Sequence, residues 1–254
     1  DLDSRTRHLD LYYAQATLLD KNWQPQGLGS AVALDAIDVA AISLGRTRDD
    51  MRGHCVFTTI INTNSPLQLD VPMAEGLIIM AEHGQCNVIT PFTLAGAMSP
   101  VTLPGALAQQ HAEAMAGIVL AQIVNPGAPV MYGGFTSNVD MKSGAPAFGT
   151  PEYTQAAQIS GQLARLLGVP FRSSNVTAAN DVDAQAAYES MMSLWGSLMG
   201  GAHLVEHAAG WMHGGLTASF EKLILDAELL QMMASYFDPI AVDTESLAFE
   251  AIRD

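Results

Sequence analysis

The sequence is poor in charged residues, and above all in basic ones. Its 254 residues include 11 Lys+Arg against 26 Asp+Glu, a formal net charge of −15, and no stretch gathers Lys and Arg into a cluster. Nucleic acids and anionic membrane surfaces are bound through clustered basic side chains, so the sequence argues against both kinds of partner. A charged fraction of only 15% suits elements that are buried on several sides, as parallel strands covered by helices are.

Cysteines and long apolar runs are also scarce. Cys55 and Cys86 are the two cysteines. They are too few for a disulfide framework, which favours a reducing, cytoplasmic location. The apolar runs are interrupted well before about 18 residues, so we expect no membrane-spanning segment. The chain starts at Asp1 without a methionine, from which we expect a piece of a longer protein.

Several motifs of well-known chemistries are missing. No glycine-rich nucleotide loop, GxSxG elbow, HExxH or CxxC pattern occurs, which lowers the expectation of a nucleotide cofactor, a serine hydrolase or a zinc enzyme. His203, His207 and His213 lie together in the sequence. Because 203 and 207 fall on a predicted strand, they are too far apart to share one ion. We therefore expect the chain to ligate no metal.

Apolar strand-like runs alternate with helix-like segments along most of the chain. The predicted strands are 56–62, 87–91, 128–133, 169–173 and 202–207, and a short strand is expected at 20–23. The predicted helices are 9–19, 31–44, 72–83, 102–125, 150–167, 182–199 and 219–236. This alternation predicts an α/β protein with a parallel sheet, and its regularity favours a (β/α)8 barrel over a doubly wound sheet.

The number of repeats falls short of a closed barrel. About six strand–helix units are found where eight are needed, so residues 1–254 are interpreted as one domain that forms the central or C-terminal part of a barrel. An incomplete barrel leaves strand edges unpaired, and we expect the chain to associate with itself, at least into dimers.

The catalytic and ligand-binding residues of such a barrel lie on the loops that follow the strands. Glu206 and His207 end the last predicted strand, where one of the two side chains points into the barrel mouth. An ionised glutamate there is costly unless it is paired or takes part in chemistry, which makes both residues catalytic candidates. The alternative is a structural pair that caps a neighbouring loop.

Further polar candidates lie on two other loops and at the end of one strand. Asn138, Asp140 and Lys142 alternate along one loop and could converge on a ligand, or could be solvated residues that bond their own backbone. Asn175 has the same two interpretations. Arg172 ends the preceding strand.

The aromatic residues make up 7% of the chain, and four of them lie on or just after strands: Phe57, Tyr132, Phe135 and Trp211. Such rings can wall a pocket for a methylammonium group through cation–π attraction. Packing in the core is the alternative for each ring.

Five long stretches make the sequence similar to one known family. They are INTNSPLQLDVPMAEGL (61–77), TPFTLAGAMSPVTL (90–103), GAPVMYGGFTSNVDMKSGAPAFGTPEY (127–153), RSSNVTAANDVDAQAAYES (172–190) and HAAGWMHGGLTASFEKLILDAELLQM (207–232). The chain resembles the trimethylamine methyltransferases, which depend on a corrinoid, over nearly its whole length from about Asp35. It shows only standard residues, so it resembles the branch without pyrrolysine, whose members act on quaternary amines such as glycine betaine.

The resemblance implies an enzyme that moves a methyl group from a quaternary or tertiary methylamine to the cobalt of a corrinoid. The corrinoid cofactor (cob(I)alamin or methylcobalamin) is carried by a small corrinoid-binding partner protein. In this reading Glu206 or Asp140 offsets the substrate cation, Trp211 or Tyr132 faces it, and Arg172 or Lys142 holds a substrate carboxylate. His207 lies nearest the cobalt. The alternative is a barrel that binds quaternary amines without catalysis, or an inactive fragment of one.

Overall fold

The computed structural model describes residues 3–254, a mixed α/β structure. Its strands are β1 (Thr58–Ile61), β2 (Cys86–Ile89), β3 (Phe92–Ala95), β4 (Val130–Gly133), β5 (Phe135–Val139), β6 (Pro146–Ala147), β7 (Phe171–Ser174), β8 (Leu204–Glu206), β9 (Trp211–Met212) and β10 (Thr217–Ala218). Its α-helices are α1 (Arg7–Leu18), α2 (Ser30–Ser43), α3 (Val71–Glu82), α4 (Leu103–Val124), α5 (Pro151–Leu167), α6 (Ala184–Met199), α7 (Phe220–Phe237) and α8 (Phe249–Arg253).

The main sheet is parallel and follows the order of the chain, β1-β2-β4-β7-β8. Each strand is followed by a helix, from α3 to α7, before the chain continues. Ahead of β1, Gln26 forms a single parallel bridge with Ile60. Successive right-handed crossovers in this order make a sheet curl in one direction. The described chain forms a half-barrel of five strands.

A side-chain hydrogen bond shows how far the sheet curls. Nε2 of Gln24, just before the bridge at Gln26, lies 2.5 Å from Oε1 of Glu206 at the end of the last strand. The two ends of the curled sheet therefore face each other across its concave side.

The helices cover the convex side of the sheet. Ile61, Ile89, Tyr132 and Phe171 stand in one row of this side and are buried among α3, α4 and α5. Burying an aliphatic or aromatic side chain of this size contributes roughly 1.5–3 kcal/mol, so the row is a main source of stability. The concave side instead carries polar residues at the carboxyl ends of the strands.

One glycine keeps two strands close at that end. A Cβ added to Gly133 on β4 would lie 2.0 Å from Oγ1 of Thr90, the residue after β2. A side chain at position 133 would displace Thr90, which lines the cavity described below.

Sequence reasoning located these main elements well. The five predicted strands and seven predicted helices are confirmed with shifts of one or two residues at most ends. Gly168 ends α5 in the left-handed conformation, as a C-terminal glycine does. The short strand predicted at 20–23 is wrong, because Gln26 alone bridges to the sheet there.

Two small sheets lie where loops were expected. β3, β5 and β6 form a three-stranded sheet, and β9 and β10 pair as a hairpin. Because β3 and β5 continue directly after β2 and β4, the small sheet stands at the carboxyl end of the half-barrel. None of the helices within residues 3–254 combines the length and the apolar character that crossing a membrane requires.

Candidate functional site

A cavity of about 720 Å³ opens at the carboxyl ends of the parallel strands. Ligand pockets for small molecules have volumes of roughly 300–1,000 Å³. The lining residues of this strand-end cavity are Ile60, Asn62, Thr63, Asn64, Ser65, Thr90, Phe92, Met98, Phe135, Arg172, Glu206, His207 and Trp211. Five of the residues singled out from the sequence therefore lie at one site.

Arg172 and Glu206 form a buried ion pair in the cavity wall. Nη2 of Arg172 donates to Oε2 of Glu206 at 2.9 Å, and their side chains are 3% and 11% exposed. The other carboxylate oxygen, Oε1, accepts from Gln24. Charges this deeply buried are tolerated when they are paired and hydrogen-bonded, and each carboxylate oxygen of Glu206 is bound by one protein donor.

Arg172 keeps unused hydrogen-bond donors. Its Nε and Nη1 atoms are buried and have no partner in the described structure. The guanidinium also lies 5.5 Å from the ring centre of Phe135. Buried donors are nearly always paired, and hydrogen bonds from a guanidinium to an anionic oxygen are strong. The unpaired donors of Arg172 are therefore suited to an anionic group of a ligand.

His207 follows β8 in a left-handed backbone conformation, with φ of 53°. The pKa of its imidazole is lowered from 6.5 to about 4, mainly by burial and also by the Arg172 charge, while Glu206 opposes the change. His207 is thus neutral at pH 7 and adds no positive charge to the cavity. Its buried Nδ1 atom has no partner among the described residues.

Aromatic rings form the wall beside Arg172. The Trp211 ring centre lies 5.3 Å from that of His207, and the Phe135 ring centre lies 5.7 Å from it. Phe148 packs behind both, at 5.3 Å from Trp211 and 5.2 Å from Phe135. A cation within about 6 Å of such ring faces is attracted by their quadrupoles.

Two other candidates point away from the cavity. Tyr132 is buried on the convex side, where its hydroxyl lies 3.3 Å from Gln110 Nε2 and 3.3 Å from His111 Nδ1. Burial raises the pKa of Tyr132 to about 12. Asn175 donates to the Ala208 carbonyl and to Asp226. Both residues support the walls of the site without lining it.

The three alternating residues of the 138–142 segment do not converge. Asn138 lies on β5 and accepts from Thr150 Oγ1 at 2.8 Å. Asp140 accepts from the backbone N–H of Lys142 and from Ser143, and this local hydrogen bonding lowers its pKa. Asp140 and Lys142 are exposed on a turn, so the structure shows the local backbone bonding that was the alternative interpretation.

Sequence reasoning did not select the loop at 62–65, which supplies four lining residues. Their position could have indicated them, because they directly follow β1 and functional residues of a barrel lie on the loops after its strands. Thr90, Phe92 and Met98 follow β2 in the same way. In the part of the chain that the structure describes, no three His, Cys, Asp or Glu side chains are grouped to hold a metal ion.

A half-barrel with a polar and aromatic cavity at its strand ends defines a small-molecule site of the (β/α) type. The whole chain, residues 1–254, matches the sequence profile of the family described as "Trimethylamine methyltransferase (MTTB)". The chain belongs to this family.

Curated relatives agree with that assignment. The chain is 38% identical over all 254 residues to the glycine betaine methyltransferase of Desulfitobacterium hafniense strain Y51, covering 53% of that protein. It is 31% identical over 217 residues, 85% of its length, to the trimethylamine methyltransferase MttB of Methanosarcina barkeri strain Fusaro, covering 44% of it. The chain spans about half the length of the curated relatives it matches.

Proposed function

We propose that the intact protein transfers a methyl group from a quaternary methylamine of the glycine betaine type to the cobalt of a corrinoid. In this proposal the half-barrel is part of a closed (β/α)8 barrel, in line with relatives about twice as long. The observation that carries the proposal is Arg172, which has two N–H donors without a protein partner and lines the same cavity as the rings of Phe135 and Trp211.

The cavity offers one partner for each charge of a betaine. Arg172 would bind the carboxylate through a donor that has no protein partner, and the aromatic wall would receive the trimethylammonium group. Neutral His207 avoids repulsion of the cation. Trimethylamine has no carboxylate and would leave the Arg172 donors unpaired, which costs binding free energy.

Methyl transfer from a quaternary amine needs little acid–base catalysis by the protein. A quaternary ammonium carries no proton and no lone pair, and it leaves as a neutral tertiary amine. The residues of this chain would therefore bind the amine, orient one methyl group and exclude water, as proteins do around reactive cofactors. The buried Arg172–Glu206 pair would fix the substrate carboxylate relative to the aromatic wall.

The strand-end cavity fits the amine and is sized for a small molecule. The corrinoid would be carried to its opening by a separate small protein, and it supplies the cobalt nucleophile when bound.

The test is a methyl-transfer assay with the intact protein and free cob(I)alamin. Glycine betaine, tetramethylammonium and trimethylamine are compared, and methylcobalamin is followed by its visible spectrum. We expect methylation with glycine betaine and little with trimethylamine. Binding of betaine without methylcobalamin formation would instead identify a non-catalytic quaternary-amine binder and overturn the transfer step.

A further inference from the structure

Glu113 on α4 anchors the loop after β1, which lines part of the strand-end cavity and lies outside the charged pair already described. Its carboxylate is 3% exposed and accepts four hydrogen bonds. Oε2 accepts from the hydroxyls of Thr63 at 2.5 Å and Ser65 at 2.7 Å. Oε1 accepts from the backbone N–H of Leu67 and from Gln109 Nε2, both at 2.9 Å.

These bonds settle the direction of the hydroxyl protons. A carboxylate with four donors is acceptor-only, and a hydroxyl has a single proton to give. The protons of Thr63 and Ser65 are therefore used by Glu113, and both oxygens keep lone pairs, although Ser65 Oγ also accepts from Thr93 Oγ1 at 3.3 Å. Thr90, which also lines the cavity, gives its proton to the Val88 carbonyl.

The strand-end cavity is thus lined by groups of opposite hydrogen-bonding character. The side of Thr63, Ser65 and Thr90 offers acceptors, whereas Arg172 offers donors only. Acceptor oxygens favour the positively charged methyl groups of an ammonium ion, and they disfavour a carboxylate.

We propose that Glu113 is a positioning residue that sets the polarity of this side and, through Thr63 and Ser65, selects and orients a methylammonium group against it. The inference rests on the proposed function, because it concerns the orientation of that substrate class. It adds a specificity determinant that does not touch the ligand itself.

A carbon isostere isolates the charge of the ammonium group. Glycine betaine and 3,3-dimethylbutanoate have the same shape and the same carboxylate, but only betaine is cationic. The ratio of their dissociation constants, measured by calorimetric titration of the intact protein, reports the preference of the cavity for the cation. A general loosening of the fold weakens both ligands together and leaves the ratio unchanged.

Glu113→Gln changes this polarity with almost no change in shape. The amide oxygen can still accept from Leu67 and Gln109, so the new NH2 group faces Thr63 and Ser65. Their hydroxyls must then accept, and their protons turn towards the cavity. We expect the preference for betaine over the isostere to fall at least about tenfold, equivalent to about 1.4 kcal/mol.

Glu189→Gln is the matched control. Glu189 is also a buried helix glutamate, which accepts from Thr177, from two backbone N–H groups and from Gln185. None of these partners lines the strand-end cavity. We expect this variant to keep the wild-type ratio at a similar cost in stability.

A second variant tests the same inference if Glu113→Gln does not fold. Thr63→Val combined with Ser65→Ala removes the acceptor oxygens directly and should also lower the ratio. An unchanged ratio in Glu113→Gln, or in the double variant where Glu113→Gln does not fold, would overturn the role of Glu113 and leave the proposed function standing. A wild-type protein that binds neither ligand would overturn the proposed function, and this inference with it.

Discussion

Gln24 and Glu206 lie 182 positions apart in the chain, yet Nε2 of one donates to Oε1 of the other at 2.5 Å. The bond closes the concave side of the half-barrel and leaves Glu206 with its second oxygen directed at Arg172. The charged pair of the cavity is therefore held by both ends of the sheet.

Replacing Gln24 should weaken the site from outside its lining. Gln24→Met removes a donor from a partly buried carboxylate, and we expect a loss of about 1–3 kcal/mol in the free energy of unfolding. Gln24→Glu places a second carboxylate there and should cost more. Urea unfolding measures the free energy of unfolding of both variants. Equal stability of the wild type and the two variants would show that the Gln24–Glu206 hydrogen bond does not contribute to stability.

The Arg172–Glu206 pair should show strong coupling. Arg172→Met or Glu206→Met each leaves one buried charge without its partner, at an expected cost of about 3–5 kcal/mol. The double variant removes both charges and should cost clearly less than the sum of the single losses. Additive losses in a double-mutant cycle would contradict the description of a buried pair.

His207 makes stability depend on pH. Its pKa is about 4 in the folded protein against an ordinary 6.5, so the unfolded chain takes up the proton first as the pH falls. The stability that depends on neutral His207 is complete above about pH 6.5 and is lost as the pH falls through 4.

The measurement compares urea unfolding of the wild type and His207→Gln at pH 7.5 and 4.5. We expect the variant to lose less stability between the two values, since the other titrating groups are common to both proteins. A histidine ring resonance of residue 207 that titrates near 6.5 would contradict this assignment.

Trp211 should contribute to the binding of a ligand that is only a cation, such as tetramethylammonium. Its ring lies against His207 and Phe148 in the cavity wall. Trp211→Leu should weaken tetramethylammonium binding by the equivalent of about 0.5–2 kcal/mol, the usual range of a cation–π contact. Trp195→Leu is the control, because Trp195 packs on Tyr236 away from the cavity, and it should bind like the wild type.

Apolar periodicity and end signals predicted most of the half-barrel. β7 and α5 lie within two residues of their predicted ends, because Gly168 stops the helix and Thr150 caps its start through its side chain. The strands β3 and β5 were missed. They hold Thr, Ser and Asn, which are common in loops, and they are formed by pairing with each other across about 40 residues.

The site was predicted in part for a similar reason. Residues at strand ends were selected as a class, and Arg172, Glu206 and His207 line one cavity. Which side a residue faces depends on sheet register: Tyr132 stands in the row of Ile89 and points outward. Glu113 lies in the middle of α4, and no local pattern shows that it reaches the loop after β1.

The most direct test of the account is calorimetric titration of the intact protein with glycine betaine, for the wild type and Arg172→Lys. Lysine keeps the charge but lacks the planar array of N–H donors that the guanidinium holds in place. We expect wild-type binding of betaine that is clearly tighter than that of trimethylamine, and a loss of about tenfold or more in Arg172→Lys with betaine alone. Equal affinity of the two proteins for betaine, or a wild type that prefers trimethylamine, would contradict the account.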